Sequence, residues 1–133
     1  MREAVRIAGQ LRRSLFHEGW HGPAIFEVLL DLDAQRAART TPFSRYSIWA
    51  IVRHLRTWHE EALDAIAGRP LPPFETAIKL GWDPFEMLLS ADLAELEKAW
   101  NLELRRFKNA GEQLSQRAAT MDERKLQSQV PGR

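Results

Sequence analysis

Apolar residues recur at spacings of three and four along most of this chain, and nowhere do they alternate with polar ones at the spacing of two that marks a half-buried strand. The longest such run in the first half is Ser44–Ala67, SRYSIWAIVRHLRTWHEEALDAIA. At about 100° per residue, Ile48, Ile51, Val52, Leu55, Ala62, Leu63 and Ile66 share one side of a helix, with Arg45, Arg53, Arg56, Glu60 and Asp64 mostly off it. Pro42 precedes the run, Ser44 or Ser47 can cap it, and Gly68 follows where a helix end favours positive φ. This helix is expected to be the element around which the others are arranged.

Three further helices are expected on the same grounds. Residues Arg2–His17 place Ala4, Ala8, Leu11 and Leu15 on one face and four arginines off it. Residues Pro23–Leu32 open with proline, whose missing N–H is harmless in a first turn, and are apolar nearly all round, which predicts burial on more than one side. One more turn is expected at Ala34–Ala38. The last and longest pattern starts at Asp83–Pro84, with Asp83 as N-cap and Glu86 placed for a capping box, and runs to about Ala118. Along it Leu93, Trp100, Leu104 and Phe107 spread beyond a narrow stripe, which predicts a chain–chain contact, and Gly111 is a mild weak point. The connections are the glycine- and proline-marked turn EGWHGP at 18–23 and the stiff, proline-rich stretch Gly68–Asp83. The fold class read from this order is all-α: an antiparallel bundle of up-down helices forming a single domain over residues 1–133.

Composition narrows the function classes. The 133 residues hold 44% hydrophobic and 28% charged side chains, with 19 basic against 18 acidic, so the net charge is +1. Such a balance, with no basic cluster, leaves no electrostatic footprint for nucleic acid. There is no cysteine, so disulfides and thiolate metal ligands are out and a reducing compartment is expected. Charges interrupt the N-terminal segment, which does not read as a secretory signal. No apolar run approaches the ~18 residues needed to span a membrane. A cytoplasmic protein without membrane or nucleic-acid partners is expected.

Candidate chemistry gathers on the flank of the Ser44–Ala67 helix. His54 has Ser47, Ala50, Trp58, Glu61 and Ala65 as helical neighbours, a shallow surface on which an imidazole, a carboxylate and an indole could form one wall of a site. The competing reading is a half-exposed histidine stacked on Trp58. His59 lies inside the apolar stripe and reads as a core or interface histidine. His17 and His21 are four residues apart, but Gly19 and Gly22–Pro23 break the helix that would align them. A metal-free catalytic site is poorly served: no paired nucleophile and base, no glycine-rich phosphate loop and no paired carboxylates stand out.

Three stretches together resemble the DinB-like family of small metal-binding helix bundles. EGWHGPAIFEVLLDL is similar to the Trp-His-Gly-Pro opening of a bundle helix in one branch of that family. SIWAIVRHLRTWHEEAL resembles its second-helix signature, a histidine followed four residues later by tryptophan. LQSQVPGR looks like the linker that leads to its last helix. The resemblance covers nearly the whole chain in order and spacing. It implies a four-helix bundle, usually dimeric, holding a divalent metal such as nickel or zinc on three histidines, one from the second main helix and two spaced i, i+4 on the last. Some such proteins resemble hydrolases or thiol transferases that use the metal to polarise water or a thiol.

Carried over to this sequence, His54 matches the second-helix ligand and His21 the histidine of the opening motif, near the mouth of the site. Trp58 and Glu61 would line the pocket, Glu61 as orienter or base. Tyr46 stands where relatives often carry another histidine. No histidine follows His59, so the i, i+4 pair is absent and the usual last helix is expected to be missing. A bundle short of one helix exposes a groove, which either the N-terminal helix or a second chain must cover. Two readings follow. One is a DinB-like divalent-metal protein, a hydrolase or thiol transferase of unknown small-molecule substrate, with an incomplete metal site. The other is a non-catalytic, self-associating homodimeric scaffold that binds no metal.

Overall fold

The structure is a computed structural model, and it describes residues 3–16, 24–40, 46–73, 75 and 92–127. Those residues form six helices and no strand: α1 (Glu3–Leu15), α2 (Ile25–Leu29), α3 (Ala34–Ala38), α4 (Ile48–Ile66), α5 (Leu93–Thr120) and α6 (Glu123–Leu126). The protein is an all-α bundle, as the hydrophobic pattern requires. The short α3 and the first helix fall where the pattern places them.

Local chemistry sets the helix ends. Ser47, in extended backbone conformation, caps α4 by accepting a hydrogen bond from the Ala50 N–H at 3.1 Å. At the other end Gly68 adopts φ +78° and the Arg69 N–H reaches back to the Asp64 carbonyl at 2.9 Å. That left-handed residue lets the chain turn off the helix while still using its last carbonyls. Asp92 caps α5, its carboxylate accepting from the Glu95 N–H at 2.8 Å. Asp33 does the same for α3 through the Arg36 N–H. The first N–H of α3, on Ala34, is taken by the Glu97 carboxylate of α5 at 2.9 Å, which ties this short helix to the long one.

The centre of the fold is α5 rather than α4. Its 28 residues span about 42 Å at 1.5 Å per residue. Both α1 and α4 pack mainly on it, and α3 lies against α4 and α5 together. The order of contacts gives the directions. Along α4 and α5, Trp49 meets Trp100 with ring centroids 5.1 Å apart, and His59 meets Phe107 at 5.5 Å. Both sequences ascend together, so α4 and α5 run parallel. On the other side Leu15, at the end of α1, stands against Gly111, and α1 also touches α6, which follows α5. Hence α1 runs antiparallel to α5, and so does the α2–α3 segment, where Phe26 meets Phe107, Leu32 meets Trp100 and Ala34 meets Glu97.

The core is aromatic at its centre. Phe107 and Trp100 are fully buried, with Leu15, Trp49 and Val52 beside them. Phe16, Phe26, Phe107 and His59 form a continuous ring-to-ring path, 5.4, 5.0 and 5.5 Å between successive centroids, that joins α1, α2, α5 and α4. The Trp100 indole N–H is not wasted in this apolar surrounding: it donates to the Leu32 carbonyl at 3.2 Å, as a buried indole requires.

Several expectations change. The long pattern expected from Pro84 is not one helix, because Asp92 is extended and α5 starts after it; Asp83, Pro84 and Glu86 lie outside the described residues, as does the turn at 18–23. The helix expected at Pro23–Leu32 shortens to five residues, and Val28 and Leu30 are 52% and 79% exposed, so it is buried on one side only. Trp100 and Phe107 fill the core of the chain itself and are not available to a second chain. Gly111 is no weak point: α5 continues through it, and a Cβ there would lie 2.7 Å from Leu15 Cδ1. The residue is the place where α1 comes closest.

Candidate functional site

The packing face of α4 decides what its histidines can do. Its centre is Trp49, Val52, Arg56, His59 and Leu63, a set that turns the helix away from the expected stripe. Trp49 and Val52 are each 2% exposed, whereas Ile48 and Ile51 are 39% and 42% exposed. The apolar residues of α4 therefore serve two faces. One packs on α5; the other comprises Ile48, Ile51, Trp58 and Ala62, with Leu55 between the two and packed against the core. The rotation also brings a charge inward. Arg56, which the pattern placed off the apolar side, points into the bundle, where its side chain is 11% exposed and bonds the Glu103 carboxylate, itself 7% exposed.

His54 lies about 180° round α4 from the centre of the packing face, by the 3.6-residue turn, and so flanks the second apolar face. It is half-buried and in edge contact with Trp58, ring centroids 5.9 Å apart. The Trp58 indole N–H donates to His54 Nδ1 at 3.2 Å. An indole nitrogen can only donate, so Nδ1 is an acceptor and the neutral ring carries its proton on Nε2. Burial depresses the His54 pKa below its ordinary value, which favours that neutral form. His59 is the core histidine its position suggested: its Nδ1 sits 2.6 Å from the Leu55 carbonyl and its ring stands on Phe107.

Of the expected pocket residues, Trp58 is brought to His54. Glu61 lies two turns along on the same flank, and Tyr46 lies just before α4 with 37% of its surface exposed. His21, like His17, lies outside the described residues. Among the described residues no three histidine or carboxylate side chains gather closely enough to hold a metal ion. One neutral histidine whose Nδ1 already accepts from an indole does not make a zinc or nickel site, since a catalytic zinc takes three protein ligands.

A different cluster, which the sequence reading missed, occupies the seam between α4 and α5. Arg56 bonds Glu103 and also Glu60, the latter at 2.5 Å. Glu60 in turn accepts from Arg106 at 2.9 and 3.0 Å. Burial alone disfavours the Arg56 charge, but hydrogen bonds to Glu60 and Glu103 outweigh it and raise the pKa above the usual arginine range. The local signal was present: Arg56 and Glu60 are four apart, Glu103 and Arg106 three apart, spacings at which helical side chains meet. Toward the C-terminal end of α4 the seam opens into a cleft of about 290 Å³ whose walls include Glu60, Asp64, Arg69, Arg106 and Arg117. Arg69 donates to Asp64 at 2.9 Å.

No family model, curated protein or solved structure matches the chain. The likeness to DinB-like proteins therefore rests on the three sequence stretches, and the site is defined by its own geometry.

Proposed function

We propose that this chain is a DinB-like helical-bundle scaffold that works as a homodimer, pairing through the second apolar face of α4. The observation that carries the reading is the exposure of Ile48 and Ile51 on the longest helix of the first half, beside a second helix face already fully used in the core. A two-fold dimer places the same patch on both partners, and so brings the two copies of His54 to the rim of one interface.

The metal reading is the alternative, and it keeps His54 as ligand. The side chains described within one chain do not suffice for nickel or zinc, so the remaining ligands would come from a second chain or from His17 and His21. Trp58 would also have to release Nδ1. The neutral, partly buried state of His54 favours this reading, because a metal binds the unprotonated imidazole. The hydrolase or thiol-transferase activity that the resemblance implies depends on that metal, with small-molecule substrate unknown.

Light scattering at micromolar concentration separates the readings when run beside metal analysis. A dimer that Ile51→Glu converts to monomer supports the pairing face; a wild-type monomer removes it. One divalent metal per two chains, lost in His54→Ala, supports a shared site. A dimer that takes up neither nickel nor zinc leaves the scaffold alone.

A further inference from the structure

The cleft at the C-terminal end of the α4–α5 seam is lined mainly by charged side chains. Three guanidinium groups, from Arg69, Arg106 and Arg117, line one opening of about 290 Å³. Two carboxylates share it, Glu60 and Asp64. Each is already committed: Asp64 accepts from Arg69 Nε, and Glu60 accepts from both Arg106 and Arg56. Those contacts use only part of what the arginines offer. A guanidinium carries five N–H donors. Arg69 spends its Nε on Asp64, and Arg106 spends one terminal nitrogen on Glu60. The Arg117 side chain has no hydrogen bond or ion pair among the described residues.

Charge accounting points the same way. Deeper in the seam Arg56 is matched by Glu103, so the cleft keeps three positive charges against two negative ones. The floor adds Leu63 and Ala110, and the rim adds the amides of Asn109 and Gln113. Gln113 donates to Asn109 Oδ1 at 3.2 Å, a contact that does not use the Asn109 amide N–H donors. The volume is near the lower end of small-molecule sites.

We infer that this cleft binds a small oxyanion, a carboxylate or phosphate group on a molecule of a few heavy atoms with a short apolar portion over Leu63 and Ala110. Arg117 and the unspent nitrogens of Arg69 and Arg106 grip the anion, and Glu60 and Asp64 hold those two arginines in place. Fork-shaped guanidinium groups suit both oxyanions, because paired N–H bonds match paired oxygens.

The test is an NMR titration of the full chain with inorganic phosphate and, separately, with butyrate, ionic strength held constant with sodium chloride. Backbone amides of Asn109, Gln113 and Arg117 are expected to shift in a saturable way with at least one of the two. Phosphate alone, butyrate alone or both would each support the oxyanion site and identify its source. Arg117→Gln is expected to weaken the response about tenfold, the worth of one charge-assisted bond, and Arg117→Lys by less. Because Arg117 is exposed on α5, both variants should keep the wild-type melting temperature. No saturable shift with either anion, or an equal response in Arg117→Gln, overturns the inference.

Discussion

Replacing Glu103 by leucine tests how the seam between α4 and α5 is held. The Glu103 side chain is 7% exposed and that of Arg56 11%, so their ion pair has little solvent to screen it. Removing one partner from a buried pair costs about 3–5 kcal/mol when the other charge is left uncompensated. Here Arg56 keeps one carboxylate, Glu60, whose side chain is 36% exposed and whose contribution solvent therefore weakens. The loss for Glu103→Leu should be reduced accordingly, to about 2–3 kcal/mol. At a few degrees per kcal/mol for a domain of this size, that is a fall in Tm of roughly 6–12 °C. If the penalty is the stranded charge and not lost shape, removing that charge too should restore stability. Arg56→Met combined with Glu103→Leu is expected within about 1 kcal/mol of wild type, because an apolar pair can replace a buried ion pair at little cost. Urea unfolding of the wild type, both single variants and the double variant gives the coupling directly, provided the m-value is unchanged. Arg106→Gln is the internal control: its pair with Glu60 is 50% and 36% exposed, so it should cost no more than about 0.5 kcal/mol. A Glu103→Leu midpoint equal to wild type would refute the reasoning. So would a double variant as unstable as the sum of the two singles.

Three further outcomes are expected. Ser47→Ala removes the side-chain acceptor that caps α4 and should lower stability by about 1 kcal/mol in denaturant unfolding, with Ser47→Asp retaining most of it. Gly111→Ala sets a helix-propensity gain of about 1 kcal/mol against an overpacking cost of about 1–3 kcal/mol. The new Cβ would lie 2.7 Å from Leu15 Cδ1 and 3.3 Å from Phe16 Cζ, and the buried Leu15 cannot swing to solvent, so a lower melting temperature is expected; an increase would show that α1 yields easily. His54 has a folded pKa below its ordinary 6.5, so the unfolded chain binds the extra proton first. Its contribution is constant above that ordinary value and falls as pH drops below it toward the folded pKa. His54→Gln should flatten that part of the stability–pH curve, and a wild-type curve already flat there would contradict the assignment.

Local pattern carried the helices because helix periodicity and caps are encoded within a few residues. The spacing of Ala4, Ala8 and Leu15 marked the buried side of α1, Ser47 and Gly68 marked the ends of α4, and the all-α class followed from the lack of alternation. The placement of His59 in the core and the contact of His54 with Trp58 were also legible, since both follow from where a residue falls on one helix. Which part of an apolar stripe a helix buries is not a local property. α4 carries apolar residues over more than half its circumference, and the choice of Trp49, Val52, Arg56 and His59 as its inward face depends on Trp100, Glu103 and Phe107, about fifty residues away. The same distance hid the Arg56–Glu103 pair: the helical pattern set Arg56 off the apolar side of its own helix and gave no sign of a partner. The parallel course of α4 and α5, the role of α5 as the centre, and the arginine-lined cleft arise only when two helices are set side by side. Chain sequence sets what each helix can offer, whereas packing sets which face is used, because burial is shared between partners and neither helix can specify it alone.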